Sequence, residues 1–333
     1  MSRNKRKLNI TESNTTDVEE PIEKYAKVES DSADLLRLDD KNFNETDYQN
    51  AFQTIANKLM NGYELVINKE HNFRLCEIEF YLYHQIRHQD TFAHRHPEQI
   101  HYSNWYFHRQ GSSPTASYKG GTYKGLDITF GSLNDTSYGG ILIRSIENKE
   151  TKQIYEGSCL VVDAILNLCN SETIKELVEI KLNKNLHVFN ENQFIYLRSC
   201  KSQTNQDIIA SPRVGLTLKV PSLDRERFLF RPYRFTLKNY YPKKMKITVL
   251  LALAAEKYFN NKKENFTDYA KELAASTKTR QATLMINLND LQTGYDMDIS
   301  RKTSPLVDYY KKNFTTTDLA QAYGIWIKKY RTN

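Results

Sequence analysis

The sequence predicts an α+β fold: a domain built on an antiparallel β-sheet, followed by a helical C-terminal extension. Three observations predict it. From Glu77 to Tyr83 the residues alternate, with Glu77, Glu79, Tyr81 and Tyr83 on one face and Ile78, Phe80 and Leu82 on the other, which is the period of a strand. The strand-like segments are short and irregularly spaced, and no βαβ repeat, GxGxxG or GxxxxGKS stretch joins them, which argues against a doubly wound sheet. Beyond Tyr240 the chain turns helical in three successive segments.

Residues 1–43 are rich in Ser, Thr, Asn, Asp, Glu and Lys and lack a sustained period, so they are expected to form a disordered polar tail. Within it, Arg3-Asn4-Lys5-Arg6-Lys7 reads as a nuclear address. The main domain is expected over residues 44–240. "NETDYQNAFQTIANKLMNG" predicts an amphipathic helix, with Asn44 or Thr46 as its N-cap, Phe52, Ile55, Ala56 and Leu59 as its buried stripe, and Gly62 as its stop. "YELVI" and "FRLCEIEFYLY" follow as strands. Further strands are expected at residues 123–130, after a turn at Gly120-Gly121, and at 140–146, 194–198 and 215–218; helices are expected at 160–168 and 172–178. "KKMKITVLLALAAEKYF", "FTDYAKELAASTKTRQATLMINL" and "TTTDLAQAYGIWIKKYR" make residues 241–333 the helical extension.

A formal charge of +7 over 333 residues describes a mildly basic surface, which suits a polyanion without requiring one. The four cysteines, Cys76, Cys159, Cys169 and Cys200, lie far apart and form no CxxC pair; with no secretory leader ahead of them they read as reduced thiols of an intracellular protein. The longest apolar run, residues 247–255, is far short of the ~20 residues of a bilayer-spanning helix, so no membrane association is expected.

Six of the eight histidines, His84, His88, His94, His96, His101 and His108, fall in one short stretch. His84 and His88 have the i, i+4 spacing of the HExxH zinc helix, but Gln85, Ile86 and Arg87 lie between them. The base glutamate is missing and a cation sits where a metal would be repelled, so no metal is expected; a metal-dependent hydrolase is the weakest of three functional alternatives.

"CEIEFYLYHQIRHQDTFAH" resembles the signature of the alkyladenine (3-methyladenine) DNA glycosylase family: a strand carrying a catalytic glutamate and a pocket tyrosine, then a loop ending in a pocket histidine. The likeness continues in the family's order. "YSNWYFHRQG" keeps the aromatic pair Tyr106 and Phe107, and "YKGGTYKGLDITFG" resembles the family's hairpin. "GGILIRSIEN" resembles its arginine-bearing strand, and "GSCLVVDAI" a helix start. "SPRVGL" with "RPYRF" resembles its paired ending, with Arg213, Gly215, Arg231, Pro232 and Arg234 in register. The blocks span about residues 50–238, and their collinearity carries the resemblance.

The resemblance implies a curved antiparallel sheet with surrounding helices, and a monofunctional enzyme of DNA repair. It would hydrolyse the N-glycosidic bond of a modified purine that has been flipped out of duplex DNA. Such an enzyme is expected to act as a monomer without a cofactor. Glu79 would activate the water and stabilise positive charge developing on the sugar, roles that suit a carboxylate at the anomeric carbon. Arg144 would keep that carboxylate ionised and hold the water. Tyr81, His94, the backbone near Ala93, and Asp127 would receive the base, and Tyr118, Lys119, Tyr123, Lys124, Arg109, Arg213, Arg231 and Arg234 would line the DNA groove.

The chain departs from the family pattern at three places. Gly120 occupies the position of the hairpin tyrosine that fills the vacated stack, leaving Tyr118 or Tyr123 to take its place. Asp127 replaces a pocket asparagine and can only accept hydrogen bonds when ionised. Gly157, Ser158 and Cys159 stand where the family has a proline and a lysine. The second alternative follows from these departures: an inactive nucleic-acid-binding protein on the same scaffold.

Overall fold

The structure, a computed structural model, describes residues 35–38, 42–200, 205–243, 246–260, 266–300 and 304–331. The basic cluster at residues 3–7 and most of the expected N-terminal tail lie outside them.

Helix α1 (Glu45–Gly62) begins where the sequence supplies a cap. Asn44 Oδ1 accepts from the N–H groups of Thr46 and Asp47 at 2.8 and 3.1 Å, and Asp47 accepts from the Asn44 N–H at 2.9 Å. Asn44, not Thr46, is therefore the N-cap. The strands that follow are β1 (Tyr63–Ile67), β2 (His71–His84), β3 (His88–Gln89), β4 (Trp105–Phe107), β5 (Leu126–Thr129), β6 (Tyr138–Asn148) and β7 (Ile154–Glu156). Helix α2 (Ser158–Leu168) and the short α3 (Ile174–Glu176), which runs on into a π turn at Leu177–Lys181, precede β8 (Ile195–Ser199) and β9 (Ile208–Ser211). Helix α4 (Leu223–Leu229) and β10 (Arg234–Leu237) complete this part. The helical extension comprises α5 (Lys246–Asn260), α6 (Phe266–Thr277), α7 (Gln281–Asp296) and α8 (Thr316–Tyr330).

The fold is α+β: a curved antiparallel sheet with helices around it and helices at its C-terminal end. The sheet runs β4-β5-β6-β2-β1-β8, with β10 and then β9 joined to the upper part of β2. The long β2 is the hub because its successive parts pair differently: residues 71–73 with β1, residues 77–79 with β10 and residues 83–84 with β3. Ile78, Phe80 and Leu82 turn into the core, where Phe80 stacks on Phe52 of α1 at 4.8 Å between ring centroids and meets Phe130 and Phe235 edge-on.

Four departures from the sequence-based expectation have physical causes in the structure. No strand forms at 215–218: Val214 turns its N–H out of the sheet to a carboxylate of β2, and Gly215 takes φ +76°, so pairing stops at Ser211. The middle C-terminal segment is two helices, broken at Lys278 with φ +51°. The folded body starts before residue 44, since Leu36 is fully buried and its N–H donates to Tyr102 Oη at 3.1 Å. Residue 241 is likewise no core boundary, because the core of α5–α8 includes Leu218, Leu229 and Phe230 from the preceding segment.

Candidate active site

Two compensating irregularities in the β2–β6 pair build the site. The register runs Leu75↔Ile146, Glu77↔Ser145 and Ile78↔Ile143, so Cys76 is an extra residue in β2 and Arg144 an extra residue in β6. A bulge re-aims the residue it inserts. As a result Arg144 and Ser145, neighbours in sequence, both reach the Glu77–Glu79 face of β2. Glu77 accepts from Arg144 Nε at 3.0 Å, from Arg234 Nε at 2.8 Å and from Ser145 Oγ at 2.8 Å. Arg234 in turn donates to Thr248 of α5 at 2.9 Å, and Tyr240 Oη donates to Ser145 at 3.0 Å.

Glu79 is 0% exposed. Its Oε1 accepts from the Val214 N–H at 2.7 Å and lies 3.5 Å from Arg144 Nε; its Oε2 accepts from Tyr81 Oη at 2.8 Å. Every partner is a donor, which suits an ionised carboxylate. Burial alone would lower the guanidinium pKa of Arg144, but the carboxylates of Glu79 and Glu77 outweigh it and hold that pKa above its ordinary value. Burial, and then the Glu79 charge, push the Tyr81 hydroxyl well up, so it remains a donor.

The sheet register extends this site sideways. Ser211, Arg234, Glu79, Leu142, Asp127 and Tyr106 lie directly opposite one another across five strand pairings, so they share one face in one row. Glu79 and Asp127 are separated by β6 alone, about 10 Å at the ~4.8 Å strand spacing. Leu142 lies between them, with Gly140 next along the same strand and face. A Cβ on Gly140 would come within 2.5 Å of Asp127 Oδ2 and 2.6 Å of Gln99 Nε2, so glycine is what lets those groups lie over the sheet.

The second half of the row is a buried polar cluster. Asp127 receives His108 Nε2 at 2.7 Å and Gln99 Nε2 at 3.1 Å. Tyr106 Oη and His94 Nδ1 are 2.7 Å apart, and the His94, His96 and His108 rings surround Tyr106 at centroid distances of 5.1–5.9 Å. Burial, assisted by Lys119 and His108, lowers the His94 pKa to about 4, so its imidazole is neutral at pH 7. His94, Arg95, Tyr83, Tyr138 and Ser112 line a cavity of about 750 Å³ at the upper end of β2 and β6; Glu79 and Arg144 are not on its wall.

The structure thus brings Glu79, Tyr81 and Arg144 together, and groups His94 with Asp127 beside them. Ala93 is buried, and its N–H already donates to Asp90 O at 3.0 Å, so it presents no free backbone donor. Among the expected groove residues, Tyr118 is half-buried under the Arg109 guanidinium, 4.1 Å above its ring, while Tyr123 is 77% exposed. Lys119 is half-buried, with its amine pKa lowered by that burial. Lys124 is paired with Asp163.

Arg213 and Arg231 are interior groups, which corrects their expected position on the groove. Arg213 is buried against Asp90 at 2.5 Å and the Phe80 carbonyl at 3.0 Å, beneath the Tyr81 ring. Arg231 is buried against Glu45. Arg213, whose side chain and Asp90 partner have no exposed surface, offers no face to a phosphate, whereas the Glu45 partner of Arg231 is itself one-third exposed. Glu77, Gln99 and His108 carry site geometry without having been assigned a role from the sequence. Only Glu77 had a signal there, its two-residue spacing from Glu79.

His84 and His88 are cross-strand partners in the β2–β3 hairpin, not neighbours on a helix. His84 Nδ1 accepts from the N–H groups of Ile86 and Arg87, and His88 is buried between the Leu82 carbonyl and Tyr233 Oη. Among the described residues no three His, Cys, Asp or Glu side chains converge as a metal site, and no helix is long and apolar enough to cross a membrane.

No family model matches the chain. The uncharacterized protein L759 of Acanthamoeba polyphaga mimivirus is 34% identical to it over 226 residues, a stretch that covers 65% of this chain and 97% of the viral protein. Identity of that level over nearly the whole viral sequence means that the chain belongs to the family of protein L759.

Proposed function

We propose that the polar face of the sheet hydrolyses the N-glycosidic bond of a modified purine in DNA, with Glu79 as the carboxylate beside the anomeric carbon. The observation that carries this reading is the guanidinium of Arg144 set 3.5 Å from Glu79 Oε1 on the sheet face that Glu79 shares with Tyr81. Such a carboxylate stabilises an oxocarbenium-like sugar and accepts a proton from water, a general-base contribution of ~10²–10⁴. Asp127 of the same row, with Tyr81 beside Glu79 and His94 on Tyr106, forms the base-receiving side. Tyr123, exposed at the hairpin tip beside Lys124, is the ring that enters the vacated stack, since Tyr118 is held under Arg109.

The test is base release from duplexes carrying hypoxanthine, ethenoadenine or an alkylpurine, followed by chromatography. Wild-type protein releases free base from at least one of them. Glu79→Gln lowers the rate by at least ~10² while the near-UV circular dichroism is retained. Equal rates from both proteins reject the role of Glu79.

A second reading is favoured by one specific observation. Both Glu79 oxygens already accept hydrogen bonds within the protein, and the side chain has no solvent exposure. On that reading the same face binds nucleic acid without turnover. It predicts no base release from any duplex, together with an affinity that falls linearly in log–log form as salt rises.

A further inference from the structure

The cavity at the upper end of β2 and β6 is not used by the chemistry assigned to Glu79. Its walls include Tyr83 and Tyr138, which are cross-strand partners with ring centroids 6.5 Å apart, together with His94 and Arg95. Both tyrosines lie on the Glu79–Tyr81 face, two residues beyond Tyr81 and Gly140, so the cavity continues the candidate site along the strands about 13 Å from Glu79 at ~3.3 Å per residue. His94 belongs to both, since it lines the cavity while its Nδ1 meets Tyr106 in the polar row.

The lining chemistry is specific. The Arg95 guanidinium lies 4.7 Å over the Tyr83 ring, and Arg95 itself is exposed and held at φ +50°, a backbone conformation that non-glycine residues adopt at a cost. Asp135, the carboxylate on the wall, is paired with Arg87 at 3.5 Å, which reduces its repulsion of an anion. Two half-buried aromatic rings and an arginine around about 750 Å³ match what an unpaired base and its phosphate need: π-faces for stacking and a planar cation.

We propose that this cavity receives a second, unpaired nucleobase adjoining the reacting nucleotide, so that the preferred ligand is single-stranded or locally melted DNA over a fully paired duplex. The inference rests on the reading of the polar face as the nucleotide-processing site. Opening two neighbouring bases of a duplex doubles the unstacking cost, whereas a single strand has no pairing to break.

The experiment uses the full chain carrying Glu79→Gln and measures fluorescence anisotropy with three labelled oligonucleotides of one sequence: a single strand, its duplex, and a single strand with an abasic spacer on one side of the lesion. The single strand binds at least about tenfold tighter than the duplex, and a spacer on one of the two sides costs about tenfold, within the range for losing one stacked base. Adding Tyr138→Ala with Arg95→Ala removes the spacer effect, and Tyr138→Phe, which keeps the ring, retains it. Equal affinity for single strand and duplex, or a spacer effect unchanged in the double variant, overturns the proposal. Absence of base release from every lesion, with the spacer effect intact, would instead remove the hydrolytic reading and leave the second base site standing.

Discussion

At the scale of single residues, the site depends on side chains whose ionisation is set by burial. The same holds beside the site for His88, which lies between α1, α4 and the segment before β10, with its ring against Tyr48, Phe52, Phe228 and Tyr233; burial lowers its pKa from 6.5 to about 4 despite the opposing charge of Asp90. A histidine whose folded pKa is depressed supports stability fully above its unfolded value and loses that support as pH falls toward the folded one. The unfolding free energy is therefore expected to fall by about 3 kcal/mol between pH 6.5 and 4 from this group, at ~1.4 kcal/mol per pH unit. Urea titrations at half-unit pH intervals read the slope, and a curve flat over that window counts against a buried neutral His88. Gly140 gives a second test at this scale. Gly140→Ala forces Asp127 and Gln99 to move and is expected to cost ~1–3 kcal/mol in thermal or chemical denaturation. Glu79 and Tyr81 were legible because period-2 alternation alone puts them on one face. The pairing of Asp127 with His108, nineteen residues earlier, was not, because it depends on β4 lying beside β5.

At the scale of elements, the paired bulges at Cys76 and Arg144 show how strands deliver functional groups. Without the extra residue in β6, strict alternation would send Arg144 and Ser145 to opposite faces, and Glu77 would lose one of its partners. No one-dimensional period announces a bulge, since it is a property of the pair of strands. Helix α4 contributes differently. Its Glu226 is 0% exposed and accepts from Ser304 Oγ at 2.6 Å, Lys329 Nζ at 3.1 Å, Tyr330 Oη at 3.2 Å and also from Tyr310 Oη. These donors come from α8 and the loop before it, so one carboxylate fastens the last helix to the sheet domain. Glu226→Ala leaves them without an acceptor and is expected to lower stability by about 3 kcal/mol. Denaturant midpoints compared with wild type measure this, and an unchanged midpoint would mean that packing alone seats α8.

At the scale of the whole molecule, the C-terminal helices and the sheet domain share a core. Leu218, Leu229 and Phe230 pack among the residues of α5–α8, Arg234 of the Glu77 network donates to Thr248 of α5, and Arg231 lies 5.5 Å from the Trp326 ring. A chain ended at residue 240 would expose that apolar surface and strand the Glu226 carboxylate. It is expected to lose cooperative thermal unfolding and to bind a hydrophobic dye, whereas a sharp transition near that of the full chain would show the extension to be dispensable. The sequence by itself determined the α+β class, the first helix and its buried stripe, the central strand and its carboxylate face, and the helical character of the C-terminal end. All of these are written in local periods that a short window contains. Only the tertiary structure decided that Arg213 and Arg231 are interior partners of acids, that Val214 leaves the sheet to reach Glu79, and that six side chains from six strands form one row. Those outcomes depend on which distant segments become neighbours, and that choice is made by burial over the whole chain rather than by any local pattern.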